Sequence, residues 1–236
     1  TKEGYKDANG SWVPLNEVEW RDERPYRGDE ALAAEMTKMS KSRHNVVPAD
    51  ELIARYGADT ERVYTLSIAP PEKEAAWSDE GVVGAWRFLG RVWNNGEIIL
   101  GKAGAAAGDT ETAVVRKTHQ TIDAVTTRIE RFEFNTAISA LMELSNSIGD
   151  ALARGADPAS LRQPFETLLK LLHPFAPHMT EELWSMAGRE GFLLTANWPV
   201  ADPALMQEES VIIAVQINGK LRAQIEVPAP PVEQQV

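Results

Sequence analysis

Apolar residues along the chain follow two different periods, and the places where one gives way to the other divide it. Over the first thirty residues neither period holds. Gly, Asn, Asp and Pro are mixed with isolated aromatics, and Asn9-Gly10 ahead of Trp12 and Val13 predicts a tight turn into a short strand. From Pro48 the spacing is helical. One short helix is expected from Asp50 to Tyr56, stopped by Gly57, and a second from Asp59 to Ile68, stopped by Pro70-Pro71. Ser78 followed by Asp79 and Glu80 marks the next start, because the hydroxyl caps free N–H groups and the carboxylates suit the positive helix end. Val82, Trp86, Leu89 and Trp93 then recur on one face. Val115, Ile122, Val125 and Ile129 mark a second long helix, and Phe134, Ile138, Leu141, Ser145 and Ile148 a third. Leu161, Phe165, Leu168 and Leu172 mark a fourth, which Pro174 and Pro177 end before a short helix around Thr180 to Ala187. The run from Gly101 to Gly108 reads as a loop between helices. Past Pro203 the period drops to two: Val211, Ile213, Val215 and Ile217, then Asn218-Gly219 for a type I′ turn, then Leu221, Ala223, Ile225 and Val227 returning as a β-hairpin.

These patterns predict a mainly α fold. An antiparallel helical bundle over residues 79–188 should bury Trp86, Trp93, Ile122, Ile138, Leu141, Leu168 and Leu172 against one another. A small α/β region precedes it and the hairpin follows. A lone two-stranded hairpin is marginal in water, so its domain is expected to continue beyond Val236. With no initiator Met and a polar opening, the chain reads as a piece of something longer.

Composition narrows the function classes. With 236 residues and 43% apolar content the chain has enough for a real core, and 35 acidic against 24 basic residues give a net charge of −11. No global positive field draws in nucleic acid, so any RNA or nucleotide contact must come from local clusters. The absence of cysteine excludes disulfides and thiolate metal sites and fits a reducing compartment, with the cytoplasm expected. No run approaches the roughly 20 apolar residues of a spanning helix, so no membrane partner is expected.

One cluster breaks the acidic background. Lys38-Met39-Ser40-Lys41-Ser42 with Arg43 puts three cations and two hydroxyls together without an acid. Lys supplies mobile point charges and Ser supplies donors, which suits a polyphosphate and the charge that develops when a phosphoryl centre is attacked. On those residues alone, a solvated Lys/Ser loop is the alternative. Other candidates are weaker. His173 and His178, five apart with two prolines between, lack metal-ligand spacing, and no metal is expected. Trp86 and Trp93 are read as core rather than as base-stacking platforms. Arg87, Arg91, Arg116, Lys117, Arg128 and Arg131 are the cations best placed on helices to meet RNA phosphates. Glu181-Glu182 are adjacent on a helix and point apart, so they serve the helix end rather than paired acid–base work.

The context of the cluster carries a resemblance. Lys38 to Ser42 is similar to the KMSKS loop of class I aminoacyl-tRNA synthetases, and Asn45-Val46-Val47-Pro48 and Tyr56-Gly57-Ala58-Asp59-Thr60 with Arg62 follow as in that family. Phe134-Asn135-Thr136-Ala137-Ile138, His173-Pro174-Phe175-Ala176-Pro177-His178 with Thr180-Glu181-Glu182-Leu183-Trp184, and Val215-Gln216-Ile217-Asn218-Gly219-Lys220 with Arg222 resemble the bacterial leucyl-tRNA synthetase family, the hairpin motif being the most discriminating. Arg43 and His44 depart from the usual pattern of a Lys followed by a smaller or amide residue.

The resemblance implies an anticodon-binding-type bundle and a division into residues 1–35 (part of a leucine-specific insertion), 36–78 (the KMSKS loop and stem-contact helices), 79–203 (the tRNA-binding bundle) and 204–236 (the start of a C-terminal domain). It implies a parent enzyme, a monomer, that joins leucine to its tRNA with ATP and Mg through leucyl-adenylate. Lys41, assisted by Lys38, would contact ATP, with Met39, Ser40 and Ser42 shaping the loop. The nucleotide-binding core would precede Thr1, so the fragment alone is expected to be inactive, with no cofactor bound. The same region of an isoleucyl- or valyl-type enzyme, or a nonenzymatic helical RNA-binding module, is the alternative.

Overall fold

The computed structural model describes residues 1–101, 110–207, 210–217 and 220–228. The expected loop at 101–108, past Gly101, and the Asn218-Gly219 turn lie outside the described residues. Short strands come first: β1 (Lys2–Lys6), β2 (Trp12–Val13), β3 (Glu19–Arg21), β4 (Arg24–Arg27), β5 (Glu30–Ala31) and β6 (Ala33–Thr37). They make two antiparallel sheets, ordered β2-β1-β6 and β3-β4-β5. The turn at Asn9-Gly10 forms as expected: Gly10 sits at φ +79°, its N–H donating to Asp7 O at 2.9 Å. Tyr5, Val13 and Leu32 form a small core of their own. A side chain at Gly4 would meet the Trp12 ring at 2.8 Å, so only glycine lets β1 lie under that indole.

Two short helices follow, α1 (Ala49–Tyr56) and α2 (Ala58–Ser67), broken at Gly57 with φ +86°. The bundle comprises α3 (Asp79–Leu100), α4 (Thr112–Glu130), α5 (Phe134–Ala153), α6 (Arg162–Leu172) and α7 (Pro177–Met186). Ser78 caps α3 as its position requires, its Oγ accepting from Gly81 N–H at 3.1 Å. The connection between α4 and α5 is only three residues long, which folds them antiparallel. Next, α6 is the central helix: Phe165, Leu168, Leu169, Leu171 and Leu172 are all buried, on more than one side. Ile122, Ile138, Leu141, Leu168 and Leu172 lie in the core, as their spacing predicts.

Trp86 does not. It is 50% exposed, and Trp93 is only half-buried at the core's edge. The buried face of α3 runs through Val82, Ala85, Phe88, Leu89, Val92, Gly96 and Ile99. At about 100° per residue that arc centres between Ala85 and Gly96, which leaves both tryptophans at its rim. Trp86 instead packs edge-on to Tyr56 at the end of α1, with ring centres 6.3 Å apart.

The C-terminal strands β7 (Ser210–Ile217) and β8 (Lys220–Pro228) pair antiparallel, with Ile217 opposite Lys220 and an irregularity between Val215 and Gln216. The hairpin is therefore present, in the expected place.

Candidate functional site

β6 delivers the Lys/Ser loop. After Thr37, Lys38 to Ser40 lead into a single 3-10 turn, Lys41–Arg43, that ends at His44 with φ +54°. Asn45, with no exposed surface, holds this shape from beneath. Its side-chain oxygen accepts from Ser40 N–H at 3.0 Å, and its amide nitrogen donates to Lys2 O at 3.1 Å and Thr37 O at 3.5 Å. Arg43 holds it from the side: its guanidinium donates to Thr37 Oγ1 at 2.6 Å and Lys38 O at 3.2 Å and lies 5.9 Å from the centre of the Trp12 ring. The Ser40 and Ser42 hydroxyls are 3.2 Å apart, and Met39 is half-buried. Lys38 and Lys41 are exposed, and among the described residues neither ammonium has a hydrogen-bond or ion-pair partner. The backbone is fixed while both charges stay available, the arrangement an anionic ligand requires.

Just after the loop, a cleft of about 630 Å³ opens between Val47, α1 (Glu51, Arg55) and the start of α3 (Asp79, Glu80, Arg87). Its charges are mixed in sign, so it selects no single ionic class.

Helix α2, which follows the loop in sequence, is tied to the turn between α6 and α7. The Asp59 carboxylate, on α2, accepts from the backbone N–H groups of His178 (3.4 Å) and Met179 (2.7 Å) and contacts His178 Nδ1 at 2.7 Å. One turn on, Arg62 donates to Pro174 O at 2.9 Å and Phe175 O at 3.3 Å. His173 Nδ1 meets Thr180 Oγ1 at 2.9 Å. Both histidines thus have protein partners, and among the described residues no group of three or more His, Asp or Glu is arranged to hold a metal.

The six RNA-candidate cations divide evenly. Arg87 and Arg91, one turn apart on α3, and Arg131, just past α4, are exposed. Lys117 is ion-paired with Glu143 at 2.5 Å, Arg128 donates to Thr136 O at 2.8 Å, and Arg116 donates to Gln207 O at 2.6 Å. Sequence reasoning saw neither the Asn45 brace nor the clasp made by Asp59 and Arg62. Asn45 lies two residues past Arg43, and its partners Lys2 and Thr37 meet it only through tertiary pairing; the clasp joins segments more than 110 positions apart, and nothing in the spacing signals either contact.

Residues 111–234, more than half of the chain, match the family described as the anticodon-binding domain of tRNA ligase. The chain belongs to that family. Residues 15–86 match a second description, tRNA synthetases class I (M), which spans the Lys/Ser loop. Among relatives of the chain, the leucine–tRNA ligase of Magnetococcus marinus is 42% identical over 96% of the chain and 28% of the relative. That of Salinispora tropica is 45% identical over 95% of the chain and 23% of the relative. A crystal structure of the Agrobacterium radiobacter K84 agnB2 LeuRS in a ternary complex with tRNA and LeuAMS is similar in fold, with a TM-score of 0.68 and 32% identity over 83% of this chain and 26% of that one. The chain spans about a quarter of the length of the relatives it matches.

Proposed function

We propose that this chain is the loop-bearing and RNA-binding portion of a leucine–tRNA ligase, with the divisions at residues 35, 78 and 203 expected from its motifs. The observation that carries the chemistry is the loop itself, whose backbone is pinned by Asn45 and Arg43 while Lys38 and Lys41 remain unpaired. The choice of leucine rests on the two relatives described above, both leucine–tRNA ligases. In the complete enzyme a leucine carboxylate oxygen attacks the α-phosphorus of ATP and pyrophosphate leaves; a ribose hydroxyl of the tRNA then attacks the leucyl carbonyl and AMP leaves. Lys41, assisted by Lys38, neutralises charge on the departing polyphosphate, with Mg as its counterion, while Met39, Ser40 and Ser42 shape the loop. Arg87, Arg91 and Arg131 are the cations free to meet tRNA phosphate, and Arg116, Lys117 and Arg128 would have to give up or share their present partners. The enzyme is read as a cytoplasmic monomer. Among the described residues no helix is long and apolar enough to cross a membrane.

Lys41→Ala in the full-length protein is expected to slow leucine-dependent ATP–pyrophosphate exchange by about 10²- to 10³-fold, the scale of losing one preorganised transition-state donor. Leucine binding should change little. Unaffected pre-steady-state adenylate formation would remove Lys41 from this role. The 236-residue chain alone should give no exchange above background, because this reading places the other half of the ATP site outside its residues.

A further inference from the structure

We infer that Asp59 and Arg62 are positioning residues that register the loop-bearing body on the RNA-binding bundle by gripping the turn between α6 and α7. The inference rests on the ligase reading above. It starts from a helix end with no cap of its own. Ala176 precedes α7 and offers no side-chain acceptor, and Pro177 takes the first helical position, so His178 and Met179 present the free N–H groups. Asp59 supplies the missing acceptor from another helix, one carboxylate oxygen to each N–H, and its charge lies on the positive end of α7. Arg62 takes the other side of the same turn, where the Pro174 and Phe175 carbonyls point outward. Both groups stand on one face of α2, three residues apart.

Burial alone does not set this register. Val63 and Tyr64 sink α2 into the bundle core, but apolar contact is non-directional and tolerates small slides and rotations. Charge-assisted hydrogen bonds do not: an acceptor pair matched to two N–H groups and a guanidinium matched to two carbonyls fix α2 in both translation and rotation. The loop leads in sequence, by way of the buried Asn45 and α1, into α2, which packs against α1. The bundle carries the candidate phosphate-binding cations. The clasp is therefore the point at which the distance between ATP chemistry and bound tRNA is set.

A purely structural clasp and a registering clasp give different kinetics. Adenylate formation needs only the loop and the nucleotide core; transfer to tRNA also needs the bundle held at the correct distance. In the full-length protein, Asp59→Ala is expected to reduce leucyl transfer to tRNA by about 10- to 100-fold, the scale of a misplacement near 1 Å, while ATP–pyrophosphate exchange stays within about three-fold of wild type. Arg62→Gln should give the same split, and decides the matter if Asp59→Ala does not fold. His178→Ala, which removes an exposed ring but leaves both backbone N–H groups on Asp59, should give a smaller loss of transfer alone. Parallel loss of both steps, or transfer unchanged in Arg62→Gln, would overturn the inference. Absence of leucine-dependent exchange in the wild-type protein would instead sink the ligase reading itself.

Discussion

Asn45 illustrates how one amide can decide the use of its neighbours. Left to themselves, two lysines and two serines in sequence make a solvated loop; with Asn45 satisfying one N–H and two carbonyls below them, the loop has a shape and its ammonium groups have a direction. The charge cluster was legible from residue types alone, whereas the brace was not, because its partners Lys2 and Thr37 reach it only through the pairing of β1 with β6. Arg43, a departure from the family pattern, is likewise absorbed into the platform. Close by, Tyr5 gives a measurable signature of the same body. Burial, reinforced by its hydrogen bond to Glu3, pushes the Tyr5 phenol up from 10.0 to about 12. The folded state thus favours the neutral phenol, so this contribution is complete below pH about 10 and is lost as pH rises through about 12. In alkaline unfolding monitored by near-UV absorbance, Tyr5→Phe is expected to flatten stability across that window, and an unchanged slope would contradict the shift.

At the scale of elements, what the periodicity gave reliably was the existence of each helix, and what it missed was which residue in a stripe sits at the centre. Val82, Leu89 and Trp93 do mark the correct side of α3, yet Phe88 is the wholly buried aromatic. The reason is Gly96. A Cβ there would stand 2.7 Å from Leu183 Cδ2 and 3.0 Å from Phe165 Cζ, so α3 approaches α6 and α7 closely along a line that favours small residues and turns the large tryptophans outward. Two effects oppose each other in Gly96→Ala: helix propensity favours alanine by about 1 kcal/mol, and overpacking costs about 1–3 kcal/mol. Leu183 and Phe165 are themselves fully enclosed and have nowhere to retreat, so the clash should win. Net destabilisation of about 1 kcal/mol is expected in urea titration, and a stabilised variant would refute the close approach. Turns were legible only where their residues were of the usual kind. Asp22-Glu23 turns β3 into β4 at φ +48° and +62° without the Asn-Gly signal, and Phe132 ends α4 at φ +59° where glycine is the common choice.

For the whole molecule, net charge and local charge act against each other. The chain carries −11, and of the six candidate cations three are already held by protein partners. Contacts to phosphate carry little sequence information and weaken as salt competes for them. The isolated chain is therefore expected to bind tRNA weakly, with Kd of about 10⁻⁴ to 10⁻⁵ M at physiological salt, and to discriminate little among tRNAs. Fluorescence titration yielding submicromolar, leucine-tRNA-selective binding would mean that specificity lies in the bundle.

The three-residue core under β1, β2 and β6 has one further consequence, for the order in which the molecule opens. Tyr5, Val13 and Leu32 bury little apolar surface beside the cluster that runs through the bundle, and the strap from Thr1 O to Trp77 N–H at 2.7 Å is one of few backbone ties between the two. Such a body should behave as its own foldon, opening at a lower free energy than the helices it rests on. In native-state hydrogen exchange, amides of β1 and β6 are expected to lose protection before those of α5 and α6. The platform for the lysines would then come and go while the bundle stays folded, so that occupation of the loop by a polyphosphate registers first as slowed exchange in β1 and β6.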